Sequence, residues 1–202
     1  AQIYDFYIIE DDYLSELIYD NSIRYNSFKS LDNNDRVVYI KSFSKIFLPG
    51  IRIGYLIPPK KFKESIQNSK INTDISTSSI MQRALDLYIR KGLWKNYIET
   101  LNCAYKKRYT YMKKCILKYL GDKVEFLEPG GGLHVYLKIK ENIKLNSIDV
   151  FRQGKDRGIL ITPGLLFYKN ALEGKNYFKI GFSHTNEKEI EYGIKTLSEI
   201  IK

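Results

Sequence analysis

A short apolar strand that runs straight into a polar loop is the feature that most constrains this chain. Residues 36–40 are rich in β-branched and aromatic side chains and predict a buried strand. The loop after it carries Ser42, Ser44 and Lys45, and Arg52 follows beyond a Pro-Gly pair. Because open α/β sheets bind ligands at the carboxyl ends of their strands, we expect a binding site at this loop.

The residue types in this loop suit one kind of ligand. A lysine amine forms a Schiff base with an aldehyde cofactor, and hydroxyl groups together with a guanidinium hold a phosphate. The alternative is a strand-loop-strand segment whose lysine is simply solvated, since most lysines are exposed. The loop taken alone leaves both interpretations open.

A second polar motif follows an apolar strand earlier in the chain. Residues 7–9 form the apolar run, and Glu10, Asp11, Asp12 and Tyr13 come directly after it. A pyridine ring that withdraws electrons needs a fixed carboxylate beside its nitrogen, and a phenol suits the ring hydroxyl. Side chains alternate along a strand, so the three acids cannot all face one ligand. We expect one acid to bind and its neighbours to cap or remain in water.

Both motifs resemble those of the fold-type I pyridoxal-phosphate enzymes, the aspartate aminotransferase superfamily. The closer likeness is to the aminotransferase-like domain of MocR-type transcription regulators, a branch of the GntR regulators. The segments that carry the likeness occur in one order along essentially the whole chain, at residues 8–13, 42–45, 49–55, 92–94, 105–109, 129–135, 158–164 and 178–183. Several ordered motifs are more specific than any one of them.

The resemblance implies a role for each site residue toward pyridoxal 5'-phosphate. Asp11 would pair with the ring nitrogen, and Tyr13 would pair with the ring 3-hydroxyl. Lys45 would be the catalytic, Schiff-base lysine. The phosphate would be held by Ser42, Arg52 and, as a further candidate, Ser44. No metal ligand is expected.

One position departs from the pattern of the family. Members that handle amino acids usually have an arginine at the position of Lys179, where it forks onto the substrate carboxylate. A lysine is a point charge without planar bidentate geometry, so the exchange is not conservative. Lys179 is therefore either a substrate-binding residue or a strand residue that faces water, and ordinary transamination of α-amino acids is less strongly implied.

The order of predicted elements indicates an α/β fold. Strands are expected near residues 6–10, 36–41, 52–57, 123–128, 133–139, 159–162 and 177–182, and helices near residues 60–69, 77–90, 93–120 and 146–157 and after Asn186. The resemblance implies a partial large domain of a fold-type I transferase, its C-terminal portion, at residues 1–100. A small C-terminal α/β domain would follow at residues 101–202.

The same resemblance implies sequence before Ala1. The family's ring-stacking aromatic, its glycine-rich phosphate turn and the winged helix-turn-helix of the regulators would all lie upstream. We therefore expect this chain to be the C-terminal part of a longer protein, with an incomplete cofactor site. Residues 1–202 alone are expected to bind the cofactor weakly or not at all.

The charge and composition of the chain limit which binding partners and which compartment we expect. The net charge is +10, but basic runs such as residues 106–108 are typical of solvated helix faces, so DNA is expected only through an absent N-terminal domain. No apolar run approaches the ~18 residues of a membrane span. Cys103 and Cys115 are too few for a disulfide framework or a zinc site. We expect both to be reduced and packed, which favours the cytoplasm.

Two functions follow from the resemblance. The first is an effector-sensing domain of a MocR/GntR-type regulator, which would capture an amine or amino-acid effector on pyridoxal phosphate and form a homodimer when full length. The second is a class I/II aminotransferase that acts on an amino acid or amine through a Schiff base at Lys45. A winged helix-turn-helix upstream would favour the regulator.

Overall fold

The computed structural model describes residues 1–20 and 22–202, which divide into two compact units, residues 1–100 and 101–202. The strands are β1 (Ile8–Asp12), β2 (Val37–Ser42), β3 (Gly54–Ile57), β4 (Val124–Phe126), β5 (His134–Ile139), β6 (Thr162–Pro163) and β7 (Tyr177–Gly181). The helices are α1 (Phe28–Leu31), α2 (Lys63–Asp74), α3 (Ser79–Arg90), α4 (Leu93–Leu120), α5 (Ser147–Asp156) and α6 (Glu187–Ile200). The α/β class expected from the sequence is confirmed.

The first unit is built on a three-stranded sheet in the order β1-β2-β3. Strands β1 and β2 are parallel, with Asp11 beside Ile40, whereas β3 is antiparallel to β2, with Gly54 beside Ser42. A Cβ atom on Gly54 would lie 2.5 Å from the carbonyl oxygen of Lys41. Glycine is therefore required for β3 to approach β2 closely at the end of the strand.

The helices of the first unit begin close to where capping chemistry predicts. Ser78 caps α3 by accepting the backbone N–H of Met81, and Gly92, at φ +72°, separates α3 from α4. The helix expected at residues 60–69 starts later, at Lys63. The chain after Pro59 first forms a 3₁₀ turn (Lys60–Phe62), which delays the α-helix by one turn.

The second unit is an antiparallel sheet in the order β4-β5-β7-β6, with a buried apolar face. Helices α5 and α6 begin in complete capping boxes at Asn146 and Asn186, the latter as expected from the sequence. The core residues come from the sheet and from α4 and α6, and include Ile116, Leu120, Leu137, Ile139, Phe178, Ile194 and Leu197. Cys115 is buried as expected, but Cys103 is exposed, because it lies on the outer side of α4.

None of the helices in residues 1–20 and 22–202 combines the length and the apolar character needed to cross a bilayer.

The carboxylate of Asp32 holds the turn that leads into β2. It accepts the backbone N–H groups of Asn34, Arg36 and Val37 at 2.9–3.1 Å. Burial opposes the charge, but these hydrogen bonds outweigh it and lower the pKa of Asp32 to about 2. Asp32→Asn is expected to lower the free energy of unfolding by about 2 kcal/mol at pH 7.

The pH dependence of that loss has a definite sign. A carboxyl whose pKa is lowered by folding stabilises the fold above its unfolded pKa, near 4, and this contribution is lost as the pH falls toward 2. Urea unfolding of Asp32→Asn and of the parent chain should therefore converge at low pH. A difference that persists unchanged at pH 2 would contradict this role of the carboxylate.

Candidate functional site

The loop at the end of β2 is anchored by its apolar residues, which leaves its polar residues outside. Phe43 and Phe47 pack on the buried cluster of Ile51, Ile53 and Leu85. The Phe47 N–H donates to the carbonyl of Phe43 at 2.9 Å and closes one helical turn. The intervening Ser44 and Lys45 therefore point away from the core, and Lys45 is exposed.

Three of the expected phosphate ligands come together. The Ser44 N–H donates to the Ser42 hydroxyl at 3.4 Å, and the Arg52 guanidinium donates to the Ser44 hydroxyl at 3.4 Å. All three residues line one groove of about 920 Å³. The backbone of Arg52 lies in the left-handed region at φ 51°, which is uncommon for a residue other than glycine and concentrates at functional sites.

Asp11 lies on the same face of the sheet as Ser42. The register places Asp11 beside Ile40, and side chains two residues apart on one strand share a face. Asp11 is exposed there, and Tyr13, just beyond the end of β1, is 42% exposed. Among the described residues, neither side chain hydrogen-bonds Ser42, Ser44 or Arg52, so the strands place Asp11 on the face of the site with its carboxylate unengaged by those residues.

Lys45 has no electrostatic partner that would hold its amine. Within the part of the chain that the structure describes, no carboxylate oxygen lies within 4.0 Å of its Nζ atom. The contrast with Lys41, four residues earlier, is complete, since the Lys41 ammonium is buried and paired. The amine of Lys45 is therefore accessible for covalent chemistry, and that of Lys41 is not.

The opposite face of the sheet holds a buried polar cluster that sequence reasoning missed. The Lys41 Nζ atom lies 3.1 Å from Asp12 Oδ1, 2.7 Å from Glu16 Oε2 and 3.0 Å from the Ser15 hydroxyl. Asp12 and Lys41 are 6% and 4% exposed. The Tyr39 phenol also donates to Asp12, at 2.5 Å. We define these five residues as the back-face cluster.

Hydrogen bonds in the back-face cluster hold Asp12 in its charged form. Burial by itself raises the pKa of Asp12, but donors from Tyr39, Ser15 and Lys41, together with the Lys41 charge, outweigh it and lower the pKa. Burial and the neighbouring carboxylate raise the pKa of Tyr39. A lysine at the end of the apolar run of β2, with an acid at the end of β1, is the sequence signal that could have indicated this cluster.

The three acids of β1 alternate between the two faces of the sheet, as expected, but the environment of one of them differs from our expectation. Glu10 caps α1 by accepting the backbone N–H groups of Phe28 and Lys29, both at 2.9 Å. Asp11 stays exposed. Asp12, which we expected to cap or to remain in water, is instead buried in an ion pair, because its face of the sheet is covered by residues after β1.

Lys179 belongs to the second unit and faces the side of the sheet away from the core. Its neighbours along β7, Phe178 and Ile180, are 0% and 8% exposed, so alternation directs Lys179 outward. Its Nζ atom lies 4.8 Å from the centroid of the Phe167 ring. Lys179 is half-buried among aromatic rings rather than fully solvated.

The residues at the end of β2 fit a phosphorylated aldehyde by their chemistry. The Ser44 backbone N–H donates to the Ser42 hydroxyl and the Arg52 guanidinium to the Ser44 hydroxyl, each at 3.4 Å, so the groups that suit a phosphate are neighbours, and an unpaired lysine amine follows directly in the chain. The groove beside them is open. A carboxylate on the same sheet face supplies the acid that a pyridine nitrogen needs.

Comparison with known proteins agrees with this chemistry. The family model described as aminotransferase class I and II matches residues 1–197. An uncharacterized aminotransferase of Saccharolobus solfataricus is 31% identical over 202 residues, which make up 100% of this chain and 49% of that protein. YdfD of Bacillus subtilis, an uncharacterized HTH-type transcriptional regulator, is 30% identical over 195 residues, 96% of this chain and 39% of the regulator.

A solved structure gives the same result for the fold. The kynurenine aminotransferase of Pyrococcus horikoshii, in complex with PMP, superimposes with a TM-score of 0.93 at 29% identity over 100% of this chain and 49% of that one. The chain thus spans about half the length of the curated relatives it matches. Class I and II aminotransferases depend on pyridoxal phosphate, and HTH-type transcriptional regulators are among the relatives of this chain. This chain belongs to the aminotransferase class I and II family.

Proposed function

We propose that this chain is the effector-sensing, pyridoxal-phosphate-binding part of a MocR/GntR-type transcription regulator. The observation that carries the proposal is the convergence of Ser42, Ser44 and Arg52 beside the accessible Lys45. In this proposal residues 1–100 are the C-terminal portion of the large cofactor domain. Residues 101–202 are the small C-terminal α/β domain.

Each site residue then has a task. Ser42, Ser44 and Arg52 bind the phosphate, and Lys45 holds the cofactor through its amine. Asp11 keeps the ring nitrogen protonated, and Tyr13 hydrogen-bonds the ring hydroxyl. When bound, pyridoxal phosphate supplies an aldehyde that condenses with amines and a ring that withdraws electrons.

Lys179 supports a sensor over ordinary transamination. A monodentate ammonium among aromatic rings cannot clamp a carboxylate in the planar, bidentate way of an arginine. A sensor needs only differential binding. An amine effector that competes with Lys45 for the aldehyde would change the contacts of the protein and shift the population of its DNA-binding states.

An aminotransferase is the second candidate. The identity to an aminotransferase and the fold shared with the kynurenine aminotransferase support it equally well. In that case the amine of Lys45, once displaced by the substrate, would move a proton to and from the substrate carbon. The substrate would be an amino acid or an amine.

The partners are part of the same proposal. DNA would be bound through an N-terminal winged helix-turn-helix, and the regulator would work as a cytoplasmic homodimer. Apolar side chains exposed on α3 support association, since Ile80 and Leu87 are 74% and 53% exposed. No contact with DNA is proposed for residues 1–202 themselves.

One experiment separates sensor from enzyme. The protein as its own cells make it is loaded with pyridoxal phosphate, and its affinity for its upstream DNA is measured with and without a panel of amines and amino acids. A sensor is expected to change affinity at least fivefold with one of them. The Lys45→Ala variant should show no such response. Turnover of an amino acid with a 2-oxo acid, without DNA binding, would contradict the sensor.

A further inference from the structure

The short turn that carries Lys45 is held in place by its own backbone and by a buried side chain. At its start, the Phe43 N–H donates to the carbonyl of Ile53 at 3.1 Å, and at its end the Phe47 N–H donates to the carbonyl of Phe43 at 2.9 Å. Ile46, next to Lys45, is fully buried. The position of the Lys45 amine therefore depends on the groups that hold this piece of backbone.

The carbonyl of Phe47 is held by a side chain from outside the loop. The last carbonyl of a helical turn has no N–H donor within the turn and needs a partner from elsewhere. The Tyr97 phenol, 50 residues further along the chain on α4, donates to this carbonyl at 3.1 Å. Both residues belong to the first unit. A phenol thus completes the backbone hydrogen bonding two residues after Lys45.

An aromatic cluster keeps the Tyr97 phenol in this place. The Tyr97 ring stands edge-on to the Phe47 ring, with centroids 5.7 Å apart. The Trp94 ring lies 5.8 Å from that of Phe47 and 5.6 Å from that of Phe43. The ring of Tyr88 lies 4.9 Å from Phe47. Ring pairs at such distances stabilise one another, so packing rather than free rotation sets the direction of the Tyr97 hydroxyl.

Tyr88 provides a contrast within the same cluster. Its ring packs on Phe47 more closely than the ring of Tyr97 does. Among the described residues, however, the Tyr88 hydroxyl makes no hydrogen bond. Two phenols of one cluster therefore differ in one respect, the bond of Tyr97 to the loop backbone.

We propose that Tyr97 is a positioning residue for Lys45. By holding the Phe47 carbonyl, it keeps the turn where the amine reaches the aldehyde of a cofactor bound in the groove. The proposal rests on the proposed function, in which Lys45 captures pyridoxal phosphate. Capture joins the Lys45 nitrogen to the aldehyde carbon and releases water, so it needs the amine at a defined place. Ser42 and Ser44 lie at the other end of the turn, so phosphate binding depends less on Tyr97.

The test compares two ligands in the protein as its own cells make it. Pyridoxamine phosphate shares the ring and the phosphate of pyridoxal phosphate but has no aldehyde to be captured. By calorimetry, Tyr97→Phe should weaken the binding of pyridoxal phosphate about three- to tenfold, the size of one lost hydrogen bond. It should change the binding of pyridoxamine phosphate less than about twofold. Tyr88→Phe, the matched control, should change neither.

A second readout needs no cofactor. Loss of the Tyr97 hydrogen bond loosens the turn, so amide hydrogen exchange in residues 43–48, measured by mass spectrometry, should become about three- to tenfold faster in Tyr97→Phe. Exchange in Tyr88→Phe should match that of the parent protein. Circular dichroism checks that both variants are folded.

Three results would overturn the role of Tyr97. These are an unchanged affinity of Tyr97→Phe for pyridoxal phosphate, an equal weakening of both ligands, and equal effects of Tyr97→Phe and Tyr88→Phe in either readout. Failure of the proposed function looks different, because the parent protein itself would then fail to capture pyridoxal phosphate at Lys45. Hydrogen exchange would still report whether Tyr97 holds the turn.

Discussion

Lys41→Met is expected to lower the free energy of unfolding by about 3–5 kcal/mol, because it leaves buried acids without their cation. Asp12 and Lys41 are almost fully buried, and Glu16 is the second acid on the same ammonium. Methionine preserves most of the volume of the lysine stem, so the loss reports the charge and its hydrogen bonds rather than a cavity. Urea denaturation at pH 7 measures it.

A matched variant separates this effect from the ordinary loss of a surface ion pair. Lys138→Met removes a lysine whose partner Glu125 is 56% exposed, and such pairs contribute about 0–1 kcal/mol. The pH dependence adds a second readout. Without Lys41 the pKa of Asp12 should rise, so the gap between Lys41→Met and the parent chain should narrow as the pH falls below about 4.

A double variant tests whether the lost stability comes from the unpaired charge of Asp12. Adding Asp12→Asn to Lys41→Met removes the buried charge that the single variant leaves unpaired. We expect the double variant to be less destabilised than the sum of the two single variants. Equal losses in Lys41→Met and Lys138→Met, or strict additivity of the two buried changes, would show that the back-face cluster does not act as a unit.

The sequence was most informative where chemistry is local. The cap at Asn186 follows from a residue type that satisfies free backbone N–H groups, and it stands where it was predicted. Helix α4 (Leu93–Leu120) matches its predicted span because Gly92 stops the preceding helix and Gly121 follows the last apolar position. The loop of Ser42, Ser44 and Lys45 was readable because hydroxyls, an amine and a guanidinium define a ligand by themselves.

What the sequence did not reveal depends on which strands pair and in what register. The partnership of Asp12 with Lys41 joins residues 29 apart and exists only because β1 and β2 are parallel with those residues adjacent. Likewise, Lys179 and Phe167 meet because β7 carries one and the turn after β6 carries the other. Residue types alone could not show that Asp12 is buried while Asp11 is exposed.

Lys45→Ala is expected to abolish the covalent capture of pyridoxal phosphate. This is the second of the two largest effects that we expect. The amine of Lys45 is accessible and unpaired next to three groups that suit a phosphate, whereas Lys41 is locked in the back-face cluster. Arg52→Ala should keep the lysine but weaken cofactor binding about ten- to a hundredfold, the magnitude of a lost hydrogen bond to a charged group, about 1.5–3 kcal/mol.

Lys63→Ala is the matched control for Lys45→Ala, since Lys63 lines the groove of Ser42, Ser44 and Arg52 but lies outside the loop. Reactive surface lysines react with aldehydes without any site, so capture must be mapped to a residue. An effect of Lys63→Ala as large as that of Lys45→Ala would indicate such unspecific reaction.

The most direct test of the central claim is therefore a mapping measurement. The protein as its own cells make it is saturated with pyridoxal phosphate, reduced with borohydride and digested, and the modified peptide is identified by mass spectrometry. The label is expected on Lys45 at about one per chain, absent in Lys45→Ala and retained in Lys63→Ala. A label spread over many lysines, or one that survives Lys45→Ala undiminished, would contradict the assignment of this cofactor site.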